Sequence, residues 1–372
     1  VGHASAGVGK NPGVRGWRRA GVGILVAGVL SASAAGGPGA LAASERPRAG
    51  SERVGLAYDV GGPGDRSFND AAATGLRRAK ADLGVATDSV TPTGDVDRAR
   101  RLAALVDRGS GLVVGLGFRW TPTVVASAAQ NPSVRYALVD DVALDDAGTP
   151  TEPGDDRPLP NVANLVFAEE QGSFLVGAAA ALTSRTGTVG FVGAVRNPLI
   201  EKFEAGYVAG ARAADPAVRV LVQYLTEPPD FRGFRAPGMG RRAATAQYRA
   251  GADVVYAAAG GSAVGVFRAA RDAGRPGEVW AIGVDADQRR IVGPGLRPYV
   301  LTSMLKRVDV AVEEVVRSQV DGTFTPGTRR FDLGDGGVGY ATSGGAIDGI
   351  RDQLDRYRDA IVAGIVLVPT TP

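Results

Sequence analysis

The sequence predicts an α/β protein of two doubly wound, parallel-sheet lobes with a cleft between them. Short Val-rich apolar runs bounded by glycine alternate with helical stretches, which is the pattern of parallel βαβ units. That alternation runs twice, in two series of similar size, with the polar, proline-rich stretch Asp145–Pro160 breaking the rhythm. A chain of 372 residues is long enough for each lobe to bury its own core.

The first series opens with VGLAYDV (Val54–Val60), a buried-strand pattern. A glycine turn (Gly61, Gly62, Gly64) and a helix over about Phe68–Leu83 follow. Ser67, with Asp70 three residues on, reads as the capping signature of that helix, which puts Phe68 and Asn69 in its first turn. Asp95–Asp107 reads as helix, GLVVGLG (Gly111–Gly117) as strand, Pro122–Ala129 as helix and VRYALVD (Val134–Asp140) as strand. After the strand NVANLVF (Asn161–Phe167), the strands of the second series are Thr188–Val195, Val218–Leu225, Ala252–Gly260 and Val279–Asp285, with helices in the gaps. The amphipathic stretch Arg307–Gln319 and a C-terminal helix over Ile347–Ala363 complete the lobes. The expected division is an N-terminal lobe over 51–168, completed by about 303–335, and a C-terminal lobe over 169–302, completed by part of about 336–372.

Residues 1–42 read as an export signal. Arg15, Arg18 and Arg19 precede an apolar run from Ala20 to about Leu30, and Ala40-Leu41-Ala42 offers an A-x-A cleavage site. That run is short for a membrane span. The segment holds four basic residues and no acidic one, so without it the chain carries 38 basic against 39 acidic residues. The basic isoelectric point of 9.2 therefore belongs to the signal and is no argument for nucleic-acid binding.

Residue types exclude several chemistries. There is no cysteine, which removes disulfides, thiolate zinc sites and thiol nucleophiles. The single histidine, His3, lies in the expected signal, so a Ser-His-Asp triad and the usual His-ligated metals are excluded as well. No metal, no cofactor and no catalytic residue is expected.

The candidate site residues fall at strand ends, where an open α/β sheet forms its ligand crevice. Asp59, Phe68 and Asn69 bring a carboxylate, a flat ring and an amide to one mouth, a set suited to a planar, hydrogen-bonding small molecule. Ala257–Ser262 runs from a buried strand through Gly260-Gly261 into a helix, either for close ligand approach or simply for packing. Asp285 ends a strand, as a hydroxyl acceptor or a helix cap. Lys306, one of four lysines among 42 basic residues, sits at a strand-to-helix junction. Phe203 shares a helix face with Leu199, Gly206, Tyr207 and Gly210, a spacing that favours core over ligand contact. Trp120 either lines the cleft or covers it.

Six runs carry a specific resemblance: DVGGPGDRSFND (Asp59–Asp70), EEQGSFLVG (Glu169–Gly177), PLIEKFEAGYVAGA (Pro198–Ala211), GADVVYAAAGGSAVGVF (Gly251–Phe267), IGVDADQ (Ile282–Gln288) and LTSMLKRVDVAV (Leu301–Val312). In order and spacing, over about Arg53–Pro369, the chain resembles the basic membrane protein family, substrate-binding proteins of the purine nucleoside receptor A type. The resemblance implies a type I periplasmic-binding fold with a nucleoside in the cleft, delivered to an ABC permease with its cytoplasmic ATPase by a monomeric, extracytoplasmic protein. Carried over residue by residue, Phe68 and Phe203 sandwich the base, Asp59 and Asn69 bond its edge, and Asp285 and Lys306 hold the ribose. Gly260 lies near the sugar, and Asp140 is a further strand-end contact where the match is looser. Two departures stand out. Ser44 follows Leu41-Ala42-Ala43 where exported members carry a lipobox cysteine, and Gly64-Asp65-Arg66 replaces a turn with two acids and a lysine. A sensor of the same fold, a binder of a sugar or autoinducer, and a nucleoside hydrolase acting through Asp59 or Asp285 are the alternatives. The hydrolase lacks an evident metal or acid/base pair.

Overall fold

The computed structural model describes residues 52–145 and 157–372. The expected signal over 1–42 and Ser44 lie outside the described residues, as does most of the polar excursion.

The first sheet is six-stranded and all parallel. Its strands β1 (Arg53–Ala57), β2 (Ala86–Val90), β3 (Leu112–Leu116), β4 (Arg135–Val139), β7 (Val162–Phe167) and β13 (Gly327–Phe331) lie in the order β13-β7-β4-β3-β1-β2. Between β4 and β7, the short strands β5 (Leu144–Asp145) and β6 (Arg157–Pro158) pair with each other antiparallel. The helices α1 (Phe68–Leu83), α2 (Arg98–Asp107) and α3 (Thr121–Gln130) connect successive strands. Every residue of β3 is buried, as expected of a strand covered on both faces.

The second sheet repeats the plan. It holds β8 (Thr188–Val195), β9 (Arg219–Thr226), β10 (Val254–Ala258), β11 (Trp280–Asp285), β12 (Val300–Lys306) and β14 (Val338–Tyr340) in the order β14-β12-β11-β10-β8-β9, with β14 antiparallel to β12. Its helices are α4 (Glu169–Thr183), α5 (Pro198–Ala214), α6 (Pro237–Arg249), α7 (Ala263–Ala273) and the single turn α8 (Gln288–Ile291). The helix α9 (Val308–Val320) packs on α1 of the first lobe, and α10 (Arg351–Val362) packs on α4 of the second. The chain thus passes between lobes at Ala168, at Lys306–Arg307 and over Asp332–Gly337.

The helices α4 and α5 approach each other backbone to backbone. A Cβ on Gly206 would stand 2.0 Å from the Glu170 carbonyl oxygen, so only glycine permits that approach. Among the described residues, no helix is long and apolar enough to cross a membrane.

The Ser67 reading needs correction. Ser67 occupies the N-cap position of α1, but its side chain makes no capping bond. Its Oγ donates to Asp285 Oδ2 in the other lobe. Asp65 caps instead: Oδ1 accepts from the N–H of Ser67 (2.9 Å) and Asp70 (3.1 Å), and Oδ2 accepts from the N–H of Asn69 (2.9 Å). The Asp70 carboxylate turns back to accept from the N–H of Gly64 and Arg66. A carboxylate two residues ahead of the N-cap outcompetes the hydroxyl because it reaches three orphan donors at once.

Candidate functional site

All eight residues singled out in the sequence line one cavity between the lobes. On the first-lobe wall, the turn after β1 presents Asp59. Its Oδ1 accepts from the Val60 N–H (2.7 Å) and from Arg98 Nη2 (2.9 Å), while Oδ2 faces Gly117. Asn69, in the first turn of α1, accepts the Asp59 N–H on Oδ1 at 3.0 Å and donates from Nδ2 to Asp65 at 3.1 Å. One Nδ2 hydrogen remains for another partner. Burial pushes the Asp65 carboxyl above its usual range, against the pull of its three backbone donors.

Two carboxylates end strands at matching places in the two lobes. Asp140 follows β4 with φ +71° and Asp285 ends β11 with φ +67°, both in the left-handed region that costs a non-glycine residue energy. Between them lies Lys306, the last residue of β12, 2 % exposed. Its Nζ forms ion pairs with Asp140 Oδ1 at 2.6 Å and with Glu169 Oε1 at 3.0 Å. The same ammonium lies 5.0 Å from the Phe167 ring centre, 5.4 Å from that of Phe68 and 5.6 Å from that of Phe203. The two sandwich candidates, one from each lobe, therefore converge on one buried cation.

Three acids share this one lysine. Burial pushes the Asp140 carboxyl up to about 7, against the pull of Lys306 and with a further push from Glu169. Burial also pushes Asp285 up to about 6, opposed by Lys306 and the Ser67 hydroxyl. For Lys306, burial works downward, but Asp140, Glu169 and Asp285 together hold the ammonium above its usual range.

Phe203 is both things that its spacing left open: it is buried and it lines the cavity. Trp120 is core. It is fully buried, donates Nε1–H to the Tyr58 carbonyl at 3.0 Å, and carries the Arg98 guanidinium 4.7 Å above its ring. Gly260, with φ +51°, opens the turn before α7 and lines the cavity. Sequence reasoning missed Asp65, Arg98 and the ion-pairing role of Glu169. The local signal for Glu169 is an acid opening the buried helix α4, where Glu169 and Glu170 are both buried.

The lobes touch across the cleft. Besides Ser67–Asp285, Gln288 Nε2 donates to the Arg66 carbonyl at 2.9 Å, and the Arg119 guanidinium lies 4.5 Å over the Phe231 ring. Among the described residues, no group of His, Cys, Asp or Glu is placed to hold a metal ion.

Two doubly wound lobes closing on an aromatic, hydrogen-bonding cavity beside their crossings define a small-molecule binding protein. The profile of the ABC transporter substrate-binding protein, PnrA-like, family matches residues 52–370, and the chain belongs to that family. It is 33 % identical over 334 residues to a CD4+ T-cell-stimulating antigen of Listeria monocytogenes, covering 86 % of this chain and 88 % of that one. It is 29 % identical over 332 residues to an ABC transporter nucleoside-binding protein, BmpA, of Lactococcus lactis, covering 86 % and 89 %. The structure superposes on a solute-binding protein of an ABC transporter system from Aeropyrum pernix K1 with a TM-score of 0.70 at 26 % identity, over 86 % of this chain and 94 % of that one. The fold is thus of the type I periplasmic-binding kind. The protein is an extracytoplasmic substrate-binding component of an ABC importer, a partner of a permease and ATPase and not a catalyst.

Proposed function

We propose that the cleft binds a nucleoside, with a purine as the base, and hands it to the permease. The observation that carries this reading is the pair Phe68 and Phe203, one ring from each lobe, lining one cavity with their centres 5.4 and 5.6 Å from the Lys306 ammonium. Stacking a base contributes about 1–3 kcal/mol per ring, and each charge-assisted hydrogen bond about 1.5–3 kcal/mol. Two rings with Asp59, Asp285 and Lys306 reach the roughly −8 kcal/mol of micromolar binding.

In this reading Asp59 and Asn69 meet the base edge, and Asp285 accepts from the ribose hydroxyls. The Lys306 ammonium gives the sugar a donor, its ion pair with Asp140 holds that lysine in place, and Gly260 lets the sugar approach the backbone. A relative described as nucleoside-binding supports the choice of ligand class. Because the rings come from different lobes, the ligand favours the closed form by engaging both.

Calorimetric titration with adenosine, guanosine, inosine and the pyrimidine nucleosides tests the assignment. Saturable heat at micromolar or lower concentration is the expected result, and no heat with any of them ends it.

A further inference from the structure

Asp59 is gripped from behind by a side chain that does not itself line the cavity. Arg98 opens α2 and is 2 % exposed, an unusual place for a guanidinium. It is held on three sides: Nη2 reaches Asp59 Oδ1 at 2.9 Å, Nε reaches Asp95 Oδ1 at 3.0 Å, and the guanidinium lies 4.7 Å above the buried Trp120 ring. Asp95 is itself pinned by Arg119 Nη2 at 2.6 Å. Arg98 is therefore fixed in direction as well as in charge.

The consequence falls on the carboxylate. Both donors that reach Asp59, the Arg98 guanidinium and the Val60 N–H, converge on Oδ1. No donor among the described residues reaches Oδ2. On that side stands Gly117, whose φ of +92° suits glycine; a Cβ there would lie 3.5 Å from Oδ2 and 3.8 Å from Phe68 Cε1. Gly117 thus leaves room at Oδ2 beside the ring of Phe68. A salt-bridged carboxylate accepts hydrogen bonds and donates none.

We propose that Arg98 is a positioning residue that turns Asp59 into a fixed, one-oxygen acceptor, so that the cleft selects bases carrying an N–H donor on the edge that meets Oδ2. This rests on the nucleoside reading above. Inosine, with N1–H, and adenosine, with its 6-amino group, both meet the requirement. Purine riboside, which has the same ring and sugar but no N–H on that edge, does not.

The test is calorimetric dissociation constants for inosine, adenosine and purine riboside, on the full chain and on Arg98→Met, Arg98→Lys and Asp59→Asn. Wild type binds inosine and adenosine about 10–100-fold more tightly than purine riboside, the value of one charge-assisted bond. In Arg98→Met and in Asp59→Asn that ratio collapses toward one. Arg98→Lys, which keeps the charge but cannot reach Asp59 and Asp95 together, restores part of it. Should Arg98→Met fail to fold, the lysine variant and Asp59→Asn still decide the matter. Equal binding of all three ligands by wild type overturns this inference and leaves the nucleoside reading standing. An Arg98 variant that weakens every ligand by one factor, with the ratio intact, also overturns it. No heat with any nucleoside overturns both.

Discussion

The two walls of the cleft are built in opposite ways. The turn in the first-lobe wall is mostly local: Asp59, Asp65, Asn69 and Asp70 are tied to one another and to the turn by hydrogen bonds spanning ten residues or fewer, while the Arg98 bond to Asp59 reaches across 39. The wall at the second lobe and the crossings is held from far away. Lys306 pairs with Asp140 and Glu169, and Asp285 with Ser67, 218 residues distant. A local wall presents groups to a ligand at little risk to the fold. The long-range wall places cavity-lining residues at the junction of the lobes, so under the proposed function the same residues carry binding, stability and closure.

That difference can be broken at several points. Lys306→Met leaves Asp140 and Glu169 buried without their cation and costs about 3–5 kcal/mol in urea unfolding at pH 8. Phe203→Ala, in the buried wall, lowers stability by about 3–5 kcal/mol and weakens nucleoside binding as well. Phe68→Ala, whose ring is only partly buried, weakens binding by about 1–3 kcal/mol, read by calorimetry, with a smaller loss in stability. If Phe68→Ala and Phe203→Ala prove alike in both measurements, the contrast between the walls is lost.

The pH dependence follows from Asp140 and Asp285. A carboxyl raised by burial contributes most to stability below about pH 4, and that contribution is lost as pH rises through about 7 for Asp140 and about 6 for Asp285. On the proposed nucleoside reading, binding runs the other way, because ribose hydroxyls at Asp285 need its carboxyl ionised. With its carboxyl at about 6, the affinity at pH 5 falls by up to about tenfold relative to pH 7.5. Asp285→Asn flattens that profile and binds weakly throughout; a wild-type Kd unchanged between the two pH values removes Asp285 from the ligand contact.

The smallest effect concerns the cap. Asp65→Ala costs about 1 kcal/mol of stability through loss of the cap. No loss of stability in thermal melts of Asp65→Ala would take the cap away from Asp65.

What the sequence disclosed follows the same division. The strands with Val-rich, buried runs, such as Thr188–Val195 with all but its first residue buried, stand where the pattern puts them. The short edge strands β2, β13 and β14 have no such run. GTRRF is mostly exposed, and only its neighbours in space make it a strand. That the candidate residues at strand ends and helix starts line one cavity was legible because a crevice forms there whatever the rest of the chain does. Asp65 as a cap, Arg98 behind Asp59 and Glu169 beside Lys306 were not. Each depends on which of several acids or arginines the folded chain brings within 3.1 Å, and no spacing encodes that choice.

A crystal structure with a bound purine nucleoside tests the division of labour most directly. The expected result is a base between Phe68 and Phe203 with its edge on Asp59 Oδ2 and its ribose at Asp285 and Lys306. A ligand turned end for end, with ribose at Asp59 and base at Lys306, or one seated outside this cleft, would contradict it.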